Sequence, residues 1–432
     1  MITLMLDDDP TGTQAMRDVT VILDWSDPEV WNAVKASDRA VHVLTNSRAH
    51  TGAEAGRLVG SAATAARTQH PRARIVLRGD STLRAHLWEE YEALREVVFP
   101  GQADVPLLLV PALPAAGRVT VGGRHLLERA GERIPLDQTE YARDGALAYS
   151  DSRLGRWAEE RSGGRLRAAD AVAVPLDRLR APGGATAVAA AIGTATRSGR
   201  PAVVVPDAET DGDLATIARG LRAAEEAGTP VIVRCAPAFA AVLARSAASA
   251  LAAPPDGGRG VLVLCGSFVP ATTAQLERLA QRYPEAIVDA RVRALAGSER
   301  DAEVDRLCGE ARSRIESDGL AVVATERERD PSLVDPESQL RIATALAQVA
   351  RSAGAGVVVA KGGITSAVTA RHGLGARAAR VIGPIATGVA LWRLPTGVDL
   401  VVFPGNVGGP DLLADVVASI APRGRAGAAA PC

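Results

Sequence analysis

The stretch ITLMLDDDPTGTQ, residues 2–14, is an apolar run that ends in three consecutive aspartates and then in a loop with proline and glycine. A short apolar run followed by turn residues is typical of a buried β-strand. Three adjacent carboxylates repel each other, and burial would increase the free-energy cost of keeping all three ionised. A solvated loop can hold them, and so can a site that uses a base or a metal ion, so the surrounding sequence has to decide.

The same pattern of an apolar run followed by polar or glycine-rich residues recurs along the chain. It alternates with stretches of helical period, and examples of the runs are VTVILD, AVHVLT, RIVLRG, PLLLVP, GVLVLCGS and DLVVFPGN. This alternation predicts an α/β fold with mostly parallel sheets and flanking helices. At 432 residues the chain is too long for one ordinary core. The Pro- and Gly-rich segment 252–260 marks the boundary, so we expect two domains, 1–250 and 258–432.

Composition narrows the class of protein. The net charge of -1 predicts no strong attraction to nucleic acid or to an anionic membrane. Asp7 interrupts the apolar start, and no apolar run reaches the length of a membrane span, so we expect no signal peptide and no anchor. A zinc site or a disulfide framework is not expected, and a reducing cytoplasm fits better, because no C-x-x-C pair occurs among Cys235, Cys265, Cys308 and Cys432.

Four segments of the first half place polar residues directly after a strand: 6–14, 44–51, 77–86 and 110–126. The carboxyl ends of parallel strands share one edge of a sheet, so these segments can converge. Guanidinium groups bind carboxylate or phosphate, and hydroxyls with carboxylates bind a polyol, which suits a small, hydroxylated, anionic ligand. The alternative for each segment is a solvated loop. The converging groups would be Asp7, Asp8, Asp9, Arg48, Arg78, Asp80, Ser81, Thr82, Arg84 and Arg118.

The strand ends of the second half carry glycine and hydroxyl residues instead. They are LCGSFVP (264–270), VAKGGITSA (359–367) and VVFPGNVGGPD (401–411). Glycine lets backbone N–H groups approach a ligand, so these segments are similar to phosphate-binding turns, although ordinary helix starts also use glycine. Neither a P-loop nor an early G-x-G-x-x-G is present. For Lys361 a phosphate contact and a surface position remain open, and His42 is predicted to pack in the core.

Eight segments then occur in the order found in one known family: DDDPTGTQ, LTNSR, RGDSTLR, PAAGRVTVGGRHL, CGSFVPATTAQLERL, KGGITS, GPIATGVALWRL and FPGNVGGPD. From Leu6 to about Val417 the chain resembles the four-carbon acid sugar kinase family. The resemblance implies an ATP-dependent kinase of small sugar acids such as threonate, erythronate or 3-oxo-tetronate. It also implies an N-terminal domain that binds the acid, a C-terminal domain that binds ATP, and an active site in the cleft between them.

Carried over residue by residue, the resemblance implies a substrate side of Asp8, Arg48, Asp80, Ser81, Thr82, Leu83 and Arg84. The nucleotide side that it implies is Ser267, Gly362, Gly363, Thr365, Gly405, Asn406 and Gly408. Two positions depart from the family pattern. Ile364 stands where many members have an acidic residue, so no metal or ribose role is assigned there. Ala85 stands where many have glycine, which would narrow the sugar pocket.

A kinase needs a base for the substrate hydroxyl, and Mg²⁺ to neutralise phosphate charge. We expect Asp8 to face the sugar hydroxyls or to act as the base, with Asp80 as the rival, and Arg48 and Arg84 to hold the carboxylate. ATP and Mg²⁺ are the expected cofactors, the metal ligands are unassigned, and a homodimer is a candidate assembly. Three alternatives stay open: a kinase of a branched acid such as 3-oxo-isoapionate, a non-kinase enzyme acting on sugar acids, and a sugar-acid-binding protein.

Overall fold

The computed structural model describes residues 2–143, 145–246, 250–266, 268–327, 336–405 and 407–422. Its strands are β1 (Thr3–Asp7), β2 (Val19–Ile22), β3 (Ala40–Leu44), β4 (Arg74–Arg78), β5 (Leu107–Val110), β6 (Arg118–Val121), β7 (Arg124–Arg129), β8 (Glu132–Pro135), β9 (Val172–Val174), β10 (Val203–Pro206), β11 (Ile232–Cys235), β12 (Val261–Cys265), β13 (Ile287–Ala290), β14 (Leu320–Thr325), β15 (Val357–Lys361), β16 (Ala378–Ala386), β17 (Val389–Arg393) and β18 (Asp399–Phe403). Its helices are α1 (Gly52–Gln69), α2 (Leu87–Val98), α3 (Leu154–Arg161), α4 (Leu176–Arg180), α5 (Gly184–Thr196), α6 (Asp211–Glu226), α7 (Pro237–Ala244), α8 (Pro270–Arg282), α9 (Val292–Ala296), α10 (Arg300–Asp318), α11 (Pro336–Ser352), α12 (Gly363–Val368) and α13 (Leu412–Ile420). The predicted α/β class is confirmed.

The chain divides into two compact units. The first contains residues 1–12 and 24–247, and the second contains residues 13–23 and 248–432. The segment 13–23 joins the second unit because β2 pairs antiparallel with β16, and Nε1 of Trp392 donates a 2.8 Å hydrogen bond to Oγ1 of Thr13. The predicted boundaries 1–250 and 258–432 differ from these units in that segment, and as separately folding domains they stay a prediction.

The first unit is built on a parallel sheet with the strand order β3-β1-β4-β11-β5-β10-β9. Asp7 at the end of β1 lies opposite Leu44 and Arg78, and Cys235 lies opposite Arg78 and Val110. All five residues of β1 are buried, as in strands covered by helices on both faces. The loops that follow β1, β3, β4 and β5 therefore start at one edge, as the sequence predicts. A small antiparallel sheet, β6-β7-β8, follows β5 in the chain.

The second unit has the strand order β13-β14-β12-β15-β18-β17-β16-β2. The first five strands are parallel, and the last three run antiparallel to their neighbours. Cys265, Lys361 and Phe403 end three adjacent strands and lie opposite one another in register. The three glycine-bearing loops thus begin side by side.

The helices after these loops begin at defined residues. The side chain of Thr51 accepts a hydrogen bond from the backbone of Glu54, and Glu54 reaches back to Thr51, which fixes the start of α1 directly after the loop 45–50. Pro270 starts α8, where its missing N–H costs no helical hydrogen bond. Within the described ranges, no helix is both long and apolar enough to cross a membrane.

Candidate active site

Asp7, the last residue of β1, is buried and paired with two side chains. Its Oδ2 lies 2.5 Å from Nδ1 of His42, and its Oδ1 accepts a 2.9 Å hydrogen bond from Nε of Arg78. His42 is fully buried, as predicted. Because both of its oxygens are engaged, the carboxylate of Asp7 serves to hold β1, β3 and β4 together.

Asp9 is also paired. It forms an ion pair with Arg48, and its Oδ1 accepts a 2.7 Å hydrogen bond from the backbone N–H of Thr11. Burial raises the pKa of Asp9, but Arg48 and Arg78 lower it more, so the net pKa lies below the ordinary value. The turn after it needs glycine, since a Cβ at Gly12 would lie 2.2 Å from Nε of Arg78.

Asp8 differs from its two neighbours. It is 2% exposed, and neither carboxylate oxygen has a hydrogen-bond partner among the described residues. Three guanidinium groups surround it: Nη1 of Arg78 at 3.4 Å, Nη2 of Arg234 at 3.8 Å and Nη1 of Arg48 at 4.0 Å. Burial raises the pKa of Asp8 to about 6, against the opposing effect of these arginines. A general base is expected to be a carboxylate of this kind, buried, with a pKa near neutrality and with oxygens that accept no hydrogen bond from the described residues.

Asp80, the alternative candidate for the general base, is engaged by three neighbouring side chains. Its Oδ2 accepts a 2.7 Å hydrogen bond from Nε of Arg84 and another from the hydroxyl of Thr82, and Nη1 of Arg48 lies 3.6 Å from its Oδ1. Burial raises the pKa of Asp80, but Arg84 and Arg48 lower it far below the ordinary range. Such a carboxylate stays ionised and is a weak proton acceptor, so it suits binding better than base catalysis.

The loop that carries Asp80 is fixed from outside. Nε2 of His125 lies 2.9 Å from the backbone carbonyl oxygen of Ser81, and the hydroxyl of Tyr149 donates a 2.9 Å hydrogen bond to the backbone carbonyl oxygen of Thr82. Burial lowers the pKa of His125 to about 4, so the ring is neutral and its Nε2–H donates. Leu83 is buried with φ +66, a conformation that costs free energy for a branched side chain and is typical of functional loops.

Two residues that the sequence did not indicate complete this part of the site. Arg234 lies in β11, where its Nη1 pairs with Glu90 of α2, and its Nη2 has no hydrogen-bond partner among the described residues. Glu90 in turn accepts a 2.5 Å hydrogen bond from the hydroxyl of Ser47. The sequence feature that could have indicated Arg234 is its position next to the end of an otherwise apolar strand. Burying a charged side chain there costs free energy, so such a residue is expected to have a function.

The second unit brings together the glycine-bearing strand ends. Gly362 has φ +108, which only glycine adopts readily, and it directly precedes α12. Gly363 is the first residue of that helix, and Thr365 in it is nearly buried. A Cβ at Gly266 would lie 3.3 Å from Oγ1 of Thr365, so glycine allows these two loops to approach closely.

Of the two alternatives that the sequence leaves open for Lys361, the surface position is wrong. Its side chain is fully buried, Nζ donates a 3.0 Å hydrogen bond to the carbonyl oxygen of Pro404, and it lies 4.0 Å from the centre of the Phe403 ring. Burial lowers the pKa of Lys361 to about 8. Lys361 therefore holds the start of the loop after β18.

The rest of that loop is fixed by α8. The hydroxyl of Thr272 donates a 2.9 Å hydrogen bond to the carbonyl oxygen of Gly405, and Nε2 of Gln275 donates 2.9 Å bonds to those of Val407 and Gly409. Gly408 has φ +84, and a Cβ there would lie 2.0 Å from a methyl carbon of Leu412. The carbonyl oxygens of Gly405, Val407 and Gly409 are thus all bound by side chains of α8. The predicted nucleotide-side residues Ser267 and Asn406 lie outside the described residues.

In the described part of the chain, no cluster of three or more His, Cys, Asp or Glu side chains could hold a metal ion. The metal ligands stay unassigned.

Two family models match the chain. A model described as a sugar-binding N-terminal domain matches residues 3–243, and one described as a nucleotide-binding C-terminal domain matches residues 262–413. A D-erythronate kinase of Heliobacterium modesticaldum is 32% identical over 324 residues, which cover 72% of this chain and 69% of that protein.

Two solved structures are similar in fold. A Salmonella typhimurium LT2 protein superposes with a TM-score of 0.69 at 19% identity, over 96% of this chain and 98% of its own. A Haemophilus influenzae protein gives a TM-score of 0.63 at 16% identity, over 96% and 99%. At these identities the likeness concerns the fold alone.

Proposed function

The chain belongs to the four-carbon acid sugar kinase family and is a sugar-acid kinase, and we propose that it transfers the γ-phosphoryl group of ATP to a hydroxyl of a four-carbon acid, with Asp8 as general base. D-Erythronate is the first candidate acid, because the relative that is 32% identical is a D-erythronate kinase. Threonate, 3-oxo-tetronate and the branched 3-oxo-isoapionate are the competing candidates.

The observation that carries the proposal is the state of the Asp8 carboxylate. It is buried, its oxygens are without hydrogen-bond partners in the described chain, and its pKa is raised to about 6. At pH 7 most of it is ionised, and a pKa near the working pH makes it both available and sufficiently basic. Asp80 has the opposite state, since its pKa is held far below the ordinary range.

In the proposed step, Asp8 accepts the proton of the substrate hydroxyl while the hydroxyl oxygen bonds to the γ-phosphorus. The bond from that phosphorus to the β–γ bridging oxygen breaks, and the electron pair leaves with ADP. Arg48, Arg78 and Arg234 stabilise Asp8 as an anion before the transfer. Mg²⁺ bound with the nucleotide would neutralise phosphate charge.

Binding of the acid is proposed for the loops after β1, β3 and β4 of the first unit. Asp80, Ser81 and Thr82 supply polar groups for the hydroxyls, Leu83 shapes the loop, and Arg48 and Arg84 supply positive charge. Nucleotide binding is proposed for the adjacent ends of β12, β15 and β18, at Gly362, Gly363, Thr365, Gly405 and Gly408, together with Ser267 and Asn406. The predicted placement of the reaction in a cleft between the domains stays a prediction.

The test is a panel of erythronate, threonate, 3-oxo-tetronate and 3-oxo-isoapionate with ATP and Mg²⁺, read by coupled detection of ADP. We expect one acid to exceed the others in kcat/KM by at least about tenfold, which is about 1.4 kcal/mol of transition-state discrimination. ADP release that no acid of the panel stimulates would contradict the proposal. If only 3-oxo-isoapionate stimulated ADP release, Asp8 would stay the proposed base, and the branched acid would become the proposed substrate.

A further inference from the structure

Arg118, the first residue of β6, is a buried cation without an ion-pair partner in the described chain. It is 8% exposed, and Nε has no hydrogen-bond partner among the described residues. Within the same residues, no carboxylate lies at ion-pair distance from it. A guanidinium group is always ionised, and burying an unpaired charge is costly unless something compensates it. This residue therefore requires an explanation.

Its principal neighbour is an aromatic ring that it shares with a second arginine. Cζ of Arg118 lies 5.6 Å from the centre of the Tyr141 ring, and Cζ of Arg84 lies 6.0 Å from it. Such contacts stabilise a cation only weakly. They do not balance two like charges at one ring, and Arg84 alone has a carboxylate partner, Asp80.

The nearby titratable groups do not supply the missing charge. Glu140 is near enough for Arg118 to contribute to lowering its pKa, but its ion pair is with Arg129 at 2.7 Å. Burial keeps His125 neutral, with a pKa of about 4. Asp80 is approached by both Arg84 and Arg48. Among the described residues, the charge of Arg118 is not matched by an ion-paired carboxylate, and a single carboxylate of a ligand would match it.

Arg48, which the sequence suggested for this role, is in a different state. It pairs with Asp9 and approaches Asp80 at 3.6 Å and Asp8 at 4.0 Å. A ligand carboxylate placed there would face three carboxylates of the protein. The charge distribution thus favours Arg48 as the residue that joins the two aspartate loops, and favours another arginine as the anchor for the acid.

We propose that Arg118 is a specificity-determining residue that binds the carboxylate of the sugar acid, with Arg84 as a second donor and the Tyr141 ring orienting both. The inference rests on the proposed function and adds the part of the site that separates an acid from a neutral polyol. A guanidinium fork binds a carboxylate through two parallel hydrogen bonds, which a neutral hydroxymethyl or amide group cannot replace.

The test compares wild type with Arg118→Met and Arg118→Lys. Each is assayed with the acid that wild type phosphorylates best and with the neutral amide of that acid. For Arg118→Met we expect the KM of the acid to rise on the order of 10²-fold, as when one partner of a buried charge pair is removed. The KM of the amide and that of ATP should stay within about threefold. Arg118→Lys keeps the positive charge but loses the planar fork. We expect its KM for the acid to lie between those of wild type and Arg118→Met.

Arg133→Met is the matched control, because Arg133 lies in β8 of the same small sheet, is exposed and pairs with Glu128 and Glu209. It should leave every KM unchanged. Equal KM values for the acid in wild type and Arg118→Met, or a parallel rise for acid and amide, would overturn the inference. If Arg118→Met does not fold, a wild-type KM in Arg118→Lys overturns it equally. A wild type that phosphorylates no sugar acid would instead refute the proposed function.

Discussion

Nη2 of Arg234 lies 3.8 Å from Oδ2 of Asp8, and neither atom has a hydrogen-bond partner among the described residues. The distance is too long for a direct hydrogen bond. A buried donor and a buried acceptor thus face each other with their bonding capacity unused. A substrate hydroxyl, which both donates and accepts hydrogen bonds, matches this pair. A catalytic role of Asp8 would explain why the fold keeps a buried donor and a buried acceptor unpaired.

The pH dependence of wild type should report Asp8. Asp8 must be unprotonated to accept the hydroxyl proton, and burial raises its pKa to about 6. We therefore expect kcat/KM for the sugar acid to be constant above about pH 7 and to fall tenfold per pH unit well below pH 6. Steady-state rates between pH 5 and 8 provide the measurement. A profile that stays flat down to pH 5 would exclude Asp8 as the titrating base.

Two substitutions should move that profile in opposite directions. Arg234 lowers the pKa of Asp8 and Glu90 raises it. Arg234→Gln should therefore shift the acid limb to higher pH, and Glu90→Gln, which keeps an acceptor for Ser47, should shift it to lower pH. The pH profiles of both variants are compared with that of wild type after melting curves show that each is folded. Shifts in the same direction would mean that the limb belongs to another group.

Lys361 should affect the nucleotide and not the sugar acid. Its Nζ holds the carbonyl oxygen of Pro404 at the start of the loop after β18. Lys361→Met should raise the KM of ATP about tenfold, a loss of about 1.4 kcal/mol, and leave the KM of the acid unchanged. Burial lowers the pKa of Lys361 to about 8, and a neutral amine donates a weaker hydrogen bond to Pro404 and loses the cation–π contact with Phe403, so the wild-type KM of ATP should also rise above that pH.

Lys35→Met is the control for that substitution, because Lys35 is exposed and is the other lysine of the chain. It should leave both KM values and their pH dependence at wild-type levels. An unchanged KM of ATP in a folded Lys361→Met variant would show that the loop after β18 does not bind the nucleotide, or does not depend on this lysine.

Gly408→Ala tests the same loop by geometry. The added Cβ would lie 2.0 Å from a methyl carbon of Leu412 at a residue with φ +84, so the loop has to shift. We expect the KM of ATP to rise at least about tenfold, which is about 1.4 kcal/mol. Gly354→Ala is matched for backbone strain, since Gly354 has φ +72 with no atom within 4 Å, and it should bind ATP normally. Equal KM values for ATP in the two variants would contradict nucleotide binding by the loop after β18.

The local pattern of the sequence was sufficient for the fold class and for the position of the candidate loops. Apolar runs that end in polar residues place Asp8 and Asp80 after neighbouring parallel strands, and the register confirms that Asp7 and Arg78 end side by side. Because the carboxyl ends of parallel strands meet at one edge, this part follows from local signals.

What the sequence did not indicate depends on contacts between distant residues. The pairing of β2 with β16 joins residues about 360 positions apart in the sequence, and no local period encodes it. The burial of Lys361 and the partnership of Arg234 with Glu90 depend on which strand ends become neighbours. The absence of an anionic partner for Arg118 is likewise visible only once all its described neighbours are placed.

The proposed role of Asp8 as general base of a sugar-acid kinase is tested by the kcat of Asp8→Asn beside that of Asp80→Asn. Asparagine keeps the shape of aspartate and removes the proton acceptor. We expect kcat of Asp8→Asn to fall by roughly 10²- to 10⁴-fold with the KM of ATP unchanged. For Asp80→Asn we expect the main loss in the KM of the sugar acid, because Asp80 is proposed to bind. A normal kcat in folded Asp8→Asn, with Asp80→Asn inactive, would contradict the account and assign the base to Asp80.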